Sequence, residues 1–316
     1  RSRALTQLLD AFETTQHLRG SGLFGSSPSL VVASALQEGQ GPFIVLTTDG
    51  HAATRALADL RFFLGPEERD RALSYPEWDT SPYDGLSPHA EIPIRRIEAL
   101  NALMSGDRCA VVMSIRAALK LVIPPGELKL HRLIVEQDEE IDRDFLGETL
   151  VQLGYLATGK VLDPGSFSIR GGLVDLYPPG HRQPLRLEFF DTEVESIRYF
   201  DPETGKSGDA IQSLQILPVR EEIMAPRTPP QALAWMRSAA AERSVAPRVR
   251  RRMIGDIEGG VLLPNIEDIL PALYPALGPR GDDLPSNGRV VLLESEEVRS
   301  SAQAYLGLLE KAYESN

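Results

Sequence analysis

Two arginines and an aromatic residue stand in segments of the sequence that are predicted to form neighbouring strands. Arg170 precedes a Gly-Gly pair, and Arg186 and Phe190 lie in a run of alternating residues that follows Pro184. Guanidinium groups bind carboxylates through paired hydrogen bonds, and an exposed aromatic beside arginines is typical of the centre of a protein interface. These residue types predict a surface that binds an acidic partner rather than a catalytic centre.

The strand pattern places these side chains on one face of a sheet. The odd-numbered residues of 185–190 are apolar and predicted to face the core, whereas the even-numbered residues are predicted to face outward. The Gly-Gly pair predicts a bulge or a close backbone approach, and Pro-Pro-Gly at 178–180 predicts a turn into an antiparallel strand. Arg170 is therefore expected beside Arg186 and Phe190.

An ordinary solvated strand face is the alternative interpretation of this region. In that case the two arginines would form ion pairs with Glu188 or Glu193, and such exposed pairs contribute little. Arg198 and Arg182 are weaker candidates for the same surface and are expected to be peripheral charges. Asp175, which with Glu188 gives two carboxylates in the strand-turn-strand region, is expected to be structural.

Four motifs in the chain resemble those of a known family. They are F-S-I-R-G-G-L-V-D-L-Y-P-P-G at 167–180, R-L-E-F-F-D at 186–191, E-V-E-S-I-R-Y-F-D at 193–201 and S-P-Y-D-G-L-S-P-H at 81–89. The first three resemble the UvrA-binding module that bacterial UvrB shares with the transcription-repair coupling factors. The fourth resembles the amino-terminal region of the coupling factors in particular, and the similarity covers nearly the whole chain.

The resemblance implies both a binding surface and a function. In the family, the arginine before Gly-Gly, the arginine that opens R-L-x-F-F and the second phenylalanine contact UvrA, and these match Arg170, Arg186 and Phe190. The chain is then expected to be a non-catalytic recruitment module that imitates UvrB and brings nucleotide excision repair to stalled RNA polymerase. UvrA is its implied partner. RNA polymerase and DNA are implied partners of the full-length protein, whose ATP-dependent translocase motor lies further along the polypeptide.

A glycine-rich loop near the start of the chain tests whether it binds nucleotide. Gly20 and Gly25 have the spacing of a phosphate-binding loop, but Ser26 stands in place of the lysine, ahead of Ser27. Backbone amides alone supply only the weaker part of such a site. A later apolar strand ends in Glu294 without an Asp-Glu pair. The loop is therefore interpreted as vestigial and no cofactor is expected, with a nucleotide-binding helicase-like domain as an alternative function.

A DNA-binding module is the other alternative. Arg248 to Arg252 contain the only dense basic run in a chain of net charge −12, and the overall charge disfavours a broad electrostatic grip on DNA. A solvated helix or loop is the competing interpretation of this run. The connection with Tyr75, Trp78 and Tyr83 is shorter than the aromatic hairpin with which UvrB clamps DNA, and this disfavours clamping.

The composition excludes several classes of protein. Cys109 is the only cysteine, which excludes an internal disulfide framework, and the five histidines lack zinc-ligand spacing, so no metal is expected. Asp79, Asp84 and His89 lie in a proline-rich loop and are expected to form turns and caps. No apolar run approaches the ~20 residues that span a bilayer, and no signal peptide is found, so a cytoplasmic location without membrane contact is expected.

Helical and strand patterns predict a discontinuous fold. Their alternation in the first part predicts a parallel sheet, with buried strands that include 43–47 and 288–294. One helix followed by consecutive strands predicts an α+β insertion. We therefore predict an α/β fold in which a RecA-like, helicase-like domain of degenerate P-loop NTPase type, at 1–131 and 218–316, is interrupted by an inserted α+β UvrA-binding domain at 132–217.

Overall fold

The computed structural model describes residues 3–80, 86–120, 123–223, 230–242, 245–258, 274 and 287–314. The chain divides into two compact units. The first contains Arg1–Asp79, Ala99–Leu121 and Pro279–Asn316, and the second contains Thr80–Glu98 and Val122–Gly278. Each unit has its own sheet and its own hydrophobic core among these residues.

A four-stranded parallel sheet organises the first unit. Its strands are β1 (Phe43–Thr47), β2 (Ala72–Ser74), β3 (Ala110–Ser114) and β12 (Arg289–Leu292). Every pairing is parallel, in the order β12-β1-β3-β2. The late strand β12 therefore returns to the sheet of the early strands. This confirms the prediction of a parallel sheet whose strands are distant in sequence.

The helices of this unit are α1 (Arg3–Thr14), α2 (Ser27–Gln37), α3 (Gly50–Glu68), α5 (Ile115–Leu119) and α10 (Ser295–Glu314), with a 3₁₀ turn at Arg69–Arg71. Helix α4 (Glu91–Ser105) belongs to it only from Ala99 onward. Asp49 caps α3 by accepting a 2.8 Å hydrogen bond from the Ala52 N–H, and Ser114 caps α5 in the same way. The core of this unit includes the fully buried Leu36, Phe43 and Leu60.

The predicted burial of the last strand is wrong. β12 lies at the edge of the sheet, where Val290 and Leu292 are 45% and 47% exposed, whereas Val291 packs against the core. An apolar run shows that a strand is present but not whether both of its faces are covered. An edge strand with one packed face alternates between buried and exposed positions.

The second unit contains a mainly antiparallel sheet of six strands. These are β5 (Leu156–Ala157), β6 (Ser166–Arg170), β7 (Leu173–Leu176), β8 (Leu185–Phe190), β9 (Glu193–Phe200) and β10 (Ser207–Ile211). They lie in the order β10-β9-β8-β7-β6-β5, and only the β5–β6 pair is parallel. A second pair, β4 (Leu133–Glu136) and β11 (Ser213–Ile216), is antiparallel. The predicted α+β character of this region is confirmed.

Helix α7 (Arg143–Gln152) shares a core with one face of this sheet. Its N-cap Asp142 accepts hydrogen bonds from the next turn, and Leu146 and Leu150 are fully buried with Val174 and Leu187 of the sheet. Burying a leucine side chain fully contributes about 1.5–3 kcal/mol. The opposite face of the sheet is thereby left for the polar residues of the same strands.

The second unit extends beyond the segment predicted to form the inserted domain. Ile94 of α4 belongs to its core, and Arg96 of α4 forms a fully buried ion pair with Glu221. The helices α6 (Pro125–Leu130), α8 (Pro230–Glu242) and α9 (Pro247–Glu258) also belong to this unit. The compact units therefore differ in extent from the predicted segments, and the predicted boundaries near 131 and 217 stay a prediction.

Candidate protein-binding surface

Arg170, Arg186 and Phe190 lie on strands of the six-stranded sheet that are close together. Arg170 is the last residue of β6, and β7 separates it from β8, which carries Arg186 and ends at Phe190. The register aligns Arg170 with Leu173 and Arg186 with Asp175. The structure thus brings the two predicted arginines to opposite sides of β7.

A single buried carboxylate joins the two arginines. Asp175 is 2% exposed, and its Oδ1 accepts a 2.7 Å hydrogen bond from Arg186 Nε. Its Oδ2 accepts two more, each of 2.9 Å, from Arg186 Nη2 and Arg170 Nη2. Glu188, the partner in the alternative interpretation, instead accepts a 2.7 Å hydrogen bond from the Ser196 hydroxyl. The arginines therefore pair with the buried Asp175 rather than with the two glutamates considered from sequence.

Arg186 is enclosed on several sides. Its guanidinium carbon lies 4.7 Å from the centre of the Phe200 ring, a cation–π distance, and its Nη1 lies 3.5 Å from the Gly205 carbonyl oxygen. Its hydrogen bonds with Asp175 raise the pKa of the guanidinium above its ordinary value. Only 16% of its side chain is exposed. These contacts therefore fix the position of the Arg186 guanidinium on the sheet.

Phe190 projects into solvent at the end of β8. It is 70% exposed, whereas Leu187 and Phe189 are 0% and 8% exposed. The register with β9 shifts between Glu188 and Phe189, yet the alternation of buried and exposed residues continues through it. The predicted exposure of Phe190 is confirmed. A large apolar side chain in this setting is suited to an apolar pocket on a partner.

The hairpin turn that joins β6 to β7 packs closely against the end of β8. Gly171 has a φ of +58°, and the Phe189 N–H donates a 2.7 Å hydrogen bond to the Gly172 carbonyl. A Cβ at Gly172 would lie 2.9 Å from the Phe189 carbonyl oxygen, so only glycine fits. Arg143 Nη1 donates to the Gly171 carbonyl. The predicted close backbone approach after Arg170 is therefore present, and α7 contributes to holding the turn.

The two weaker candidates lie at different places. Arg198 of β9 is the cross-strand neighbour of Arg186 and is half-buried, so it extends the basic row across the sheet. Arg182 is exposed in the connection between β7 and β8, where its carbonyl accepts a 2.8 Å hydrogen bond from the Tyr177 hydroxyl. Of the two, only Arg198 adjoins the arginine pair in the sheet.

The glycine-rich loop lies between helices α1 and α2. A phosphate-binding loop of the P-loop type connects a strand to a helix, and here β1 comes after α2. Gly25 has a φ of +59°, Ser26 makes no side-chain cap, and the Ser27 hydroxyl donates to the Phe24 carbonyl at 2.7 Å. Gly20 lies in the irregular segment before them. The predicted vestigial phosphate loop stays a prediction.

Glu294 follows β12 and precedes α10. It is exposed, has a φ of +60°, and its carbonyl accepts a 2.9 Å hydrogen bond from the Val298 N–H at the start of α10. Its backbone therefore forms a strand-to-helix junction at the edge of the parallel sheet.

The basic run forms part of helix α9. Arg248, Arg251 and Arg252 are exposed. Arg251 Nε donates to the Pro247 carbonyl at 3.3 Å, and Arg252 faces Asp256 at 3.7 Å with 84% of its side chain exposed. The structure thus places the run on a solvated helix, as the competing interpretation predicted.

The fourth motif is described only in part. Residues 81–85, which include Tyr83 and Asp84, lie outside the described residues, whereas His89 accepts a hydrogen bond from the Glu91 N–H at the start of α4. Tyr75 is buried, and Lys120 Nζ lies 5.2 Å from the centre of the Trp78 ring.

In the described ranges, no group of three or more His, Cys, Asp or Glu residues is arranged to hold a metal ion. No described helix is long and apolar enough to cross a bilayer.

Sequence reasoning missed the residues that organise this surface. Asp175 was expected to be structural, but its role as the shared counter-ion of two arginines was not predicted. The available signal was its parity, since Asp175 faces the same side of the sheet as Leu173 within an otherwise apolar strand. No comparable signal indicated Phe200 beneath Arg186 or Arg143 beside the hairpin turn, because these contacts join separate elements.

Comparisons with known proteins find one matching family model and several similar proteins. Residues 133–221 match the family model of the UvrB interaction domain. The transcription-repair-coupling factor of Myxococcus xanthus is 34% identical over 277 residues, which cover 86% of this chain and 23% of the relative. That of Bacillus subtilis is 34% identical over 224 residues, which cover 70% of this chain and 18% of the relative. That of Escherichia coli is 26% identical over 291 residues, which cover 92% of this chain and 24% of the relative.

The chain thus spans about a quarter or less of the length of these relatives. The family-model match includes the hairpin, the arginine pair and Phe190. The wider matches extend over both compact units, in agreement with the resemblance that the four motifs carry. This chain belongs to the family of transcription-repair coupling factors and contains their UvrB interaction domain.

Proposed function

We propose that the surface formed by Arg170, Arg186 and Phe190 binds UvrA, and that the chain is a non-catalytic recruitment module that imitates UvrB. The observation that carries this proposal is the arginine pair organised by the buried Asp175 carboxylate, beside an aromatic that is 70% exposed. The match to the UvrB interaction domain supports it, because all of these residues lie within the matched range.

The chemistry of the surface supports a partner site that is acidic and partly apolar. Arg170 keeps 56% of its side chain exposed and can form charge-assisted hydrogen bonds with an acidic group on UvrA. Phe190 would fill an apolar pocket next to that group. The whole chain has a net charge of −12, so the attraction is local to this sheet face. Binding should therefore weaken as added salt screens the charges.

The cellular role follows from the family. We propose that the full-length protein uses this surface to bring UvrA-dependent excision repair to stalled RNA polymerase. RNA polymerase and DNA would then bind parts of the polypeptide outside this chain, and the translocating ATPase would be one of those parts. In this proposal the α/β domain predicted at 1–131 and 218–316 is a degenerate P-loop domain, and its glycine-rich loop, which lacks the lysine, does not support catalysis. ATP is therefore expected to leave the melting temperature of the chain unchanged.

Calorimetric titration of the chain into purified UvrA tests the proposal. Saturable binding is expected for the wild type, with affinity lowered about 10- to 100-fold by Arg170→Ala or Phe190→Ala. Arg252→Ala and Phe24→Ala are matched controls, because these side chains are 84% and 85% exposed and lie elsewhere. Both controls should bind as the wild type does. A folded wild-type chain that does not bind UvrA would overturn the proposal.

A further inference from the structure

The two arginines of the surface differ in what their guanidinium groups can still do. Arg186 makes two hydrogen bonds to Asp175, stacks on Phe200 and lies near the Gly205 carbonyl, with 16% of its side chain exposed. Arg170 makes one hydrogen bond to Asp175 and is 56% exposed. Most of the donors that can face a partner therefore belong to Arg170.

Asp175 is in turn fixed from both sides. It lies on the central strand β7, and both of its carboxylate oxygens are engaged by arginines. At 2% exposure it cannot itself contact a partner. Its position is set by Arg186, which approaches with the two-pronged geometry that locks a carboxylate in orientation. Asp175 therefore presents Oδ2 to Arg170 at a fixed place on the sheet.

We propose that Asp175 and Arg186 are a positioning pair for Arg170. Arg186 fixes the carboxylate, and the carboxylate holds the flexible Arg170 side chain in the orientation in which it meets an acidic group of the partner. This rests on the proposed binding of UvrA by this surface. Arg186 then contributes to the affinity through Arg170 in addition to its own place on the surface, and Phe190 contacts UvrA directly. Holding a long side chain before binding reduces the entropy lost on association.

The sign of one substitution separates positioning from simple charge. Asp175 is a negative charge beside a surface that attracts an acidic partner. If only net charge mattered, Asp175→Asn would strengthen UvrA binding, because it removes a like charge from the partner's side. If the carboxylate positions Arg170, the same substitution weakens binding. The amide is nearly isosteric, so the strand should keep its packing.

Two double-mutant cycles test the proposal, both by calorimetry with UvrA at low salt, where weak binding remains measurable. Asp175→Asn and Arg186→Ala are each made in the wild type and in Arg170→Ala. Each is expected to weaken binding about tenfold in the wild type and by a smaller factor once Arg170 is absent. An affinity gain for Asp175→Asn would overturn the role of the carboxylate. An undiminished loss for Arg186→Ala in the Arg170→Ala chain would show that Arg186 does not act through Arg170, and it would overturn the positioning pair.

The same variants separate positioning from misfolding and from failure of the proposed function. A chain with both Asp175→Asn and Arg170→Ala should keep the binding that depends on Phe190, so that adding Phe190→Ala lowers it further. Loss of that residual binding would mean that the hairpin is disrupted, and it would overturn positioning. If Phe190→Ala weakens wild-type binding but the effects in both cycles are additive, the positioning role is overturned. The assignment of UvrA as the partner is then kept. Absence of wild-type binding would overturn both.

Discussion

The Arg170–Arg186 pair and the arginines of α9 contain the same side chain in opposite surroundings. The pair converges on Asp175, which is 2% exposed and accepts three hydrogen bonds of 2.7–2.9 Å. On α9, Arg252 is 84% exposed and faces Asp256 at 3.7 Å. The sequence is more densely basic on α9, yet only the first cluster is held in one geometry. Burial of the counter-ion, rather than the density of charge, distinguishes an organised arginine from a solvated one.

The physical difference is whether water can replace the protein partner of a charged group. An exposed ion pair exchanges one solvated state for another and contributes about 0–1 kcal/mol. A buried carboxylate has no water available and depends on its protein donors, so removing either partner leaves a desolvated charge. The two clusters should therefore respond differently to the same substitution.

Removal of the counter-ion should give the largest difference. Asp175→Ala leaves the largely buried Arg186, beside Arg170 and Arg198, without the carboxylate that accepts its hydrogen bonds, and it should lower the free energy of unfolding by about 3 kcal/mol. Asp256→Ala, the matched change on α9, should alter it by less than about 0.5 kcal/mol. Urea unfolding followed by circular dichroism measures both values. Equal effects would remove the distinction between the clusters.

Two glycine substitutions should have effects of opposite sign. A methyl group at Gly172 would lie 2.9 Å from the Phe189 carbonyl oxygen, so Gly172→Ala should destabilise the hairpin by about 1–3 kcal/mol. Gly255 lies inside α9 with no atom within 4 Å of an added Cβ. Gly255→Ala should therefore stabilise the helix by about 0.5–1 kcal/mol. Thermal melting of the two variants checks the signs, and a stable Gly172→Ala chain would contradict the tight approach of the β6–β7 turn to β8.

Local patterns in the sequence predicted much of this fold. Alternation in 185–190 correctly identified the core face of β8, and alternating helices and strands correctly predicted the parallel sheet. Counter-ions were beyond this reasoning, because Asp175 lies five residues from Arg170 and eleven from Arg186 and meets both only through strand pairing. The exposure of β12 was also missed, because it depends on what covers each side of the sheet. Pairing and coverage are properties of the whole sheet rather than of a segment.

Replacement of arginine by lysine should give a smaller difference. Arg186→Lys keeps the positive charge but loses the two-pronged contact with Asp175 and the placement of the guanidinium over the Phe200 ring. We expect the free energy of unfolding to fall by about 1–2 kcal/mol. Arg252→Lys should leave it unchanged within about 0.5 kcal/mol. Equal stability of the two lysine variants would show that charge, rather than geometry, holds the pair.

The α9 arginines should have the smallest effect of all. Each phosphate contact made by an arginine contributes about −0.9 to the slope of log affinity against log salt for duplex DNA. If Arg248, Arg251 and Arg252 bound DNA, replacing all three by alanine would make that slope shallower by about 2.7. We expect no measurable change in the slope from fluorescence anisotropy with a duplex, because these side chains are solvated on a chain of net charge −12. A shallower slope would make α9 a second functional surface, and solvent exposure would then no longer separate the two clusters.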